Sequence, residues 1–252
     1  MTRDVPIPRA AAADWADLTR PAAATPAGGP GELPAAAGRW LAHATPAGSP
    51  PRSVAELRMG GEIRLGGRWH PFTARQVIAP GRGFVWAARA RVGRLPVTGF
   101  DRYTGDGGGE MRWRLLGLVP VMGSTGPDTT RSAAGRLAAE SVFVPPACTA
   151  VPWSEGPDDD TAVMSWDLHG EPEQVQLRVG RDGRLLEVTV PRWGDPDGAG
   201  FGRHPFGVTV EEEAELGGMR VPGVLRAGWW WGTDRQDEGE FFRARVTSAD
   251  FR

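Results

Sequence analysis

The stretch QVQLRVGRDGRLLEVTV, residues 174–190, decides the fold class. Val175, Leu177 and Val179 alternate with Gln174, Gln176 and Arg178, and Leu185, Val188 and Val190 follow Asp182-Gly183. Alternation with period two gives a strand one buried face and one wet face, and Asp-Gly supplies the positive φ angles of a tight hairpin turn. Two antiparallel strands are therefore predicted.

The same grammar extends outward. Downstream, strands are predicted over 207–216 and 219–231, joined by Gly217-Gly218, and over 240–246; upstream, one is predicted over 162–168. Met111, Trp113 and Leu115 alternate with Arg112 and Arg114 after the glycine loop 105–109, which reads as another half-wet strand. Leu57, Met59 and Ile63, then Trp69, Val77 and Ile78, then Phe84 and Trp86 lie in short runs bounded by Gly66-Gly67 and Pro80-Gly81. The total is about ten or eleven strands.

Helical spacing occurs in two places. Leu33, Ala37, Trp40, Leu41 and Ala44 follow Pro34 in a first turn, and Ala133, Leu137, Ala138 and Val142 mark a helix over 130–143, capped by Thr129 or Thr130 and stopped by Pro145-Pro146. Residues 1–32 are poor in large apolar groups apart from Trp15 and Leu18; a short helix over 10–18 must end at the Pro and Gly cluster of 21–31. This stretch is expected to be a flexible N-terminal tail, and residues 33–252 a single β-rich domain. Strands and helices do not alternate, so a parallel nucleotide-binding sheet is disfavoured. The fold class is mainly β (α+β), one large antiparallel sheet whose inner face is covered by curling or by its helices.

Composition narrows function by exclusion. The 252 residues are 40% hydrophobic and 24% charged, a globular composition, and the formal net charge of −2 gives no electrostatic footprint for nucleic acid. All 29 basic residues are arginine and isoleucine occurs three times, which reads as genomic composition bias. The absence of lysine excludes Schiff-base and lysine general-base chemistry. The single Cys148 allows no intramolecular disulfide, no window of 18 apolar residues offers a membrane span, and the first residues lack a signal-peptide core. The expected location is cytoplasmic; oligomeric state is not legible.

Nor does any motif name a reaction. His43, His70, His169 and His204 have no metal-ligand spacing, and Asp158-Asp159-Asp160 and Glu211-Glu212-Glu213 lack the alternating oxygens of a calcium loop. They read as a solvated turn and an exposed strand end. Gly123-Ser124-Thr125-Gly126 is not a nucleophile elbow, Cys148 reads as a buried inert thiol, and the glycine loop lacks the Walker lysine. No metal and no cofactor are expected.

A polar cluster and the tryptophans remain. Asp101-Arg102 precedes the glycine loop, Asp128 and Arg131 start the helix, and Arg136 and Glu140 lie four apart on one helical face. The plain reading of Arg136 and Glu140 is a surface ion pair; the sharper one is a pair carried into the sheet's concavity, where charges must be partnered and mark a ligand site. Among 11 tryptophans, Trp69, Trp86, Trp113, Trp166 and Trp193 lie in strand-like runs and serve either a core or an aromatic cleft. Trp229-Trp230-Trp231 must alternate faces on a strand.

With these segments in view, the chain resembles a family of bacterial proteins known only as a domain of unknown function. The resemblance rests on GRWHPFTARQ (67–76), FVWAARA (84–90), DRYTGDGGGEMRWRLLGLVPV (101–121), Gly126-Pro127-Asp128 and GRLAAE (135–140), and covers roughly residues 33–252. It implies a lipoprotein-carrier-like (LolA/LolB-like) half-barrel, with two or three helices over its concave face. The tyrosine-bearing closing segment of such carriers is altered here, with Phe241-Phe242 and Phe251 in place of some aromatics. The family brings no established activity.

Three functions are therefore weighed. In the first, the sheet concavity binds an apolar or amphipathic small molecule or lipid, with Trp86, Trp113 and Leu115 as walls and Arg136, Glu140 and Asp101 orienting a polar head. In the second, a cofactor-independent isomerase or cyclase uses Glu140 and Asp101 as general acid and base. In the third, a structural or interaction module has a filled interior.

Overall fold

A computed structural model gives the structure of residues 4–21, 33–106, 108–168 and 170–252. Helices α1 (Ala12–Leu18) and α2 (Ala35–Ala44) precede strands β1 (Ala55–Leu65), β2 (Arg68–Ala79), β3 (Gly83–Val92), β4 (Leu95–Tyr103), β5 (Gly109–Leu115) and β6 (Val119–Thr125). Helix α3 (Pro127–Glu140) follows, then β7 (Trp153–Glu155), β8 (Thr161–Leu168), β9 (Glu171–Val179), β10 (Leu185–Gly194), β11 (Gly202–Leu216), β12 (Met219–Trp229), the short α4 (Gln236–Gly239) and β13 (Glu240–Phe251). All the strands form one open antiparallel sheet of 13, in the order β6-β5-β4-β3-β2-β1-β13-β12-β11-β10-β9-β8-β7.

The predicted hairpins form where turn chemistry placed them. Asp182 Oδ1 accepts from Arg184 N at 3.1 Å and Gly183 adopts φ +88°, closing β9 on β10. Gly66-Gly67 and Gly217-Gly218 each supply two positive φ angles to a two-residue turn. The strand count exceeds the sequence estimate because β4, β6 and β7 carry no readable alternation. Strand β6 is exposed along its whole length and β7 has only three residues, so neither shows a buried face.

The sheet curls. Strands β4 and β10 stand seven places apart in the strand order, about 33 Å in a flat sheet. Yet consecutive residues of α3 reach both. Arg136 bonds to Asp101 of β4 at 2.9 Å, and a Cβ at Gly135 would stand 3.2 Å from Arg192 Cγ of β10. Helix α3 therefore lies in the trough, and α2 packs against β8, β9 and β12. The main core fills the space between helices and sheet, with Trp40, Leu57, Ile78, Phe84, Leu137, Met164 and Leu177 nearly inaccessible to solvent.

Two expectations are corrected here. Helix α3 begins at Pro127, with Gly126 as its N-cap, and not at Thr129 or Thr130; proline at N1 gives up only a donor that the first turn leaves unused. Gly109 makes this start possible, since a Cβ there would meet Thr130 Cα at 2.6 Å. The second correction concerns the expected tail. Of its residues, 4–21 pack on the convex face of the sheet, while 22–32, with most of the Pro and Gly cluster, lie outside the described residues. Ala11, Trp15 and Leu18 bury against Val77, Ala79, Val85 and Phe100, and Arg75 stacks over Trp15 at 5.0 Å. Asp14 pairs with Arg102 and Asp17 with Arg82. Two apolar side chains sufficed because the strands opposite supplied the rest of this second core. It follows that α1 covers the outer face, not the concave one.

Candidate functional site

Strand register decides which side chains meet in the trough. Leu57, Gln76, Trp86, Asp101 and Met111 form one inward row across β1 to β5, and Met59, Ala74, Ala88, Gly99 and Trp113 form the next. The small residues of the second row leave room for large rings. Trp113 lies 5.6 Å from Trp86 between centroids, Trp86 lies 5.7 Å from Phe72, and Phe72 stacks on Phe242 at 5.1 Å. The next residue, Phe241, meets Phe206 at 6.3 Å, and Phe206 meets Trp229 at 5.3 Å. Two runs of touching rings, Trp113–Trp86–Phe72–Phe242 and Phe241–Phe206–Trp229, thus meet at neighbouring residues of β13 and form an aromatic belt from β5 to β12.

Charges from α3 hang over this belt. Arg136 pairs through Nη1 with Asp101 at 2.9 Å and through Nε with Glu140 at 2.8 Å, and its guanidinium lies 4.6 Å from the Phe84 ring and 5.3 Å from Trp86. Trp113 Nε1 donates to Asp101 at 2.9 Å, and Gln76 Nε2 donates to Glu140 at 2.6 Å. The three ionic side chains are 17–21% exposed, which settles their position: the pair faces inward and is mostly shielded from water. Burial raises the Asp101 carboxyl above the ordinary value in spite of Arg136 and Trp113. For Arg136 burial acts downward, but Glu140 and Asp101 together outweigh it and the guanidinium is held above its usual value.

The register brings together five of the six expected binding residues: Trp86, Trp113, Asp101, Arg136 and Glu140. Leu115 shares the inward face of β5 but lies one row further out, opposite Val97, and is half-buried. Sequence reasoning missed Gln76, Phe72, Phe242 and above all Arg192. Arg192 donates from Nε to Ser132 O at 3.0 Å and stacks over Phe206 and Trp229 at 4.7 and 5.2 Å, with no carboxylate in ion-pair range among the described residues. Burial, with Arg136 nearby, pushes it down to about 10, so it remains charged at neutral pH. Counting by twos from Val188 and Val190 would have placed Arg192 on the inner face.

An open cavity of about 500 Å³ adjoins the end of the belt, lined among others by Trp229, Phe241, Trp230, Arg64, Arg235 and Glu238. Trp229 and Phe241 belong to both cavity and belt. The expected strand to Trp231, with the three tryptophans alternating faces, is corrected: β12 ends at Trp229, Trp230 breaks the strand at φ +58° and lines the cavity with Trp229, and Trp231 lies in the turn beyond, buried against Gly207. One polar atom of the belt is unused: the indole N–H of Trp86 is buried without a hydrogen-bond partner.

Other singled-out residues go elsewhere. Cys148 is buried, its Sγ 3.4 Å from Ser141 O, and burial pushes the thiol up. Glu213 does not sit on an exposed strand end as expected: it accepts from Leu185 N at 3.0 Å and pairs with His43 at 2.7 Å. Asp128 accepts from Trp193 Nε1 at 2.9 Å. His169 lies outside the described residues. Among the described residues no group of three or more His, Cys, Asp or Glu is arranged to hold a metal, and no helix is long and apolar enough to cross a membrane.

A family model described as "Family of unknown function (DUF6920)" matches residues 31–251. No curated protein matches the sequence. Three solved structures are similar in part. A LolA superfamily protein from Nitrosomonas europaea is 8% identical with a TM-score of 0.41, over 86% of this chain and 92% of that one. A putative outer membrane lipoprotein-sorting protein domain from Vibrio parahaemolyticus is 9% identical with a TM-score of 0.38, over 79% and 86%. A DUF1329 family protein from Desulfovibrio piger is 9% identical with a TM-score of 0.35, over the same shares.

Proposed function

The chain belongs to the DUF6920 family of unknown function, and from that premise and the geometry above we propose that it binds an apolar or amphipathic small molecule in the trough of its sheet. The observation that carries this reading is that the 500 Å³ cavity shares Trp229 and Phe241 with an aromatic belt whose far end lies beneath charges that α3 holds inward. Large apolar rings beside a few convergent polar groups are the usual composition of a small-molecule site. The tail of the ligand would enter past Trp229 and Phe241 and lie along the belt. Its head would meet Arg136, Asp101 and Glu140 on one side and Arg192, the cation without a carboxylate, on the other. An acidic head is the natural complement of Arg192.

The enzymatic reading draws on the raised Asp101 carboxyl, which suits a general acid. Both carboxylates are nevertheless already bonded to Arg136, so they favour holding a head group over moving a proton.

A brominated alkyl carboxylate, 12-bromododecanoate, is a direct probe, because bromine quenches the tryptophans it approaches. Saturable quenching at one probe per chain is the expected result, weakened at least about tenfold by Arg192→Leu, the value of one charge-assisted contact. Because Arg192 leaves only the Ser132 acceptors and no carboxylate stranded, this substitution is expected to cost no more than about 1 kcal/mol of stability. Quenching that never saturates would favour a module with a filled interior.

A further inference from the structure

We propose that the paired tips of the β3–β4 and β5–β6 hairpins form a docking surface for an anionic lipid bilayer. Large apolar side chains are concentrated there in water: Leu95, Leu116, Leu118, Val119, Val121 and Met122 are 45–74% exposed. Isolated exposed apolar residues are ordinary; a cluster of this kind marks an interaction surface. The two tips are one unit, since Leu116 N donates to Pro96 O at 2.8 Å. Leu116 also holds φ +55° in its turn, a left-handed position in which asparagine or glycine would sit with less strain and more affinity for water.

Charge identifies the occupant. Segments 88–98 and 111–126 carry five arginines and no carboxylate, on a chain whose net charge is −2. All five, Arg89, Arg91, Arg94, Arg112 and Arg114, are exposed, and only Arg112 pairs with a carboxylate, that of Glu110, among the described residues. Apolar tips to insert, with uncompensated guanidinium groups around them to meet phosphates, are what an anionic bilayer surface selects. A second copy of the chain fits less well. The free edge strand β6 carries Pro120, and the β5–β6 ladder is interrupted by a bulge between Trp113 and Arg114; both features oppose edge-to-edge pairing.

The position adds sense to the surface. Antiparallel order places the tips at 92–95 and 115–119 at the same end of the sheet as the β1–β2 turn and the β12–β13 connection, which line the cavity. Docking would thus bring the open end of the trough to the bilayer, although the surface stands or falls independently of any ligand inside.

Vesicle flotation tests this with the full chain. Vesicles of equal parts phosphatidylglycerol and phosphatidylcholine are expected to carry the protein at least about tenfold better than phosphatidylcholine alone. The preference should fall with added salt and with Arg91→Glu plus Arg94→Glu. Leu118→Asp with Val121→Asp is expected to abolish flotation; should that pair fail to fold, Leu118→Ser alone must weaken it. Folded wild-type protein that stays off the anionic vesicles overturns the proposal, as does flotation indifferent to these substitutions. A dimer by light scattering that Leu118→Asp dissolves, with no flotation, would overturn it in favour of a second copy.

Discussion

Replacing Arg136 by leucine is expected to lower the free energy of unfolding by about 3 kcal/mol near neutral pH, because it strands two shielded carboxylates that share one cation. Asp101 and Glu140 both bond to this guanidinium, and their remaining donors are one indole and one amide. The sign of the pH dependence follows from Asp101. Its folded carboxyl is already raised by burial, and loss of Arg136 raises it further. A carboxyl raised in the fold gives stability that is complete below its unfolded value, about 3.9, and is lost as pH rises through the folded value. The deficit of Arg136→Leu should therefore shrink as pH falls toward the unfolded value and be largest above the folded one. Urea denaturation of both proteins across that range checks it; a deficit that grows with acid would refute the account of the cluster. Arg192→Leu serves as the internal contrast, since it removes a cation without stranding a carboxylate.

Trp86→Ala is the second large effect, again with an expected loss of about 3 kcal/mol. The ring is 3% exposed and touches Trp113, Phe72, Phe242 and the Arg136 guanidinium. Its inward neighbours in the next row, Ala88 on the same strand and Gly99 diagonally across on β4, are too small to refill the space. A large-to-small change of this kind reaches about 5 kcal/mol where nothing relaxes. Here the unpartnered indole N–H is removed as well, and an unsatisfied buried donor carries a penalty of about 1–3 kcal/mol, so the loss belongs at the lower end of the range. Thermal denaturation by circular dichroism reads the result. A loss under about 1 kcal/mol would mean that the belt is loosely packed and Trp86 is not its centre.

Much of the sheet was legible because most strands have one face in water, which writes period two into the sequence, as in 111–115 and 174–190. Strand β6 was not, because an edge strand exposed on both faces has no reason to alternate. Helix α3 was readable from its apolar spacing, but its direction of packing was not. Arg136 and Glu140 would show the same spacing on an outer surface, and only the curl of the sheet turns them inward. The meeting of Trp86 with Trp113 depends on the pairings Trp86–Asp101 and Gly99–Trp113, and cross-strand register lies beyond local pattern. The docked segment 4–21 was hidden for a related reason, since its apolar partners come from residues 77–100. Arg192 was open to reading by parity, yet a charged residue at an inward position looks like a strand end until the stacking rings are seen.

The direct test of the central claim is native mass spectrometry of freshly purified protein, followed by organic extraction of whatever is retained. A discrete excess mass that disappears on denaturation and is recovered as an apolar or amphipathic compound, acidic if Arg192 receives the head, is the expected result. Protein at its sequence mass alone, together with no saturable quenching by 12-bromododecanoate, would contradict a ligand-binding trough and leave a sheet whose interior is packed for its own stability.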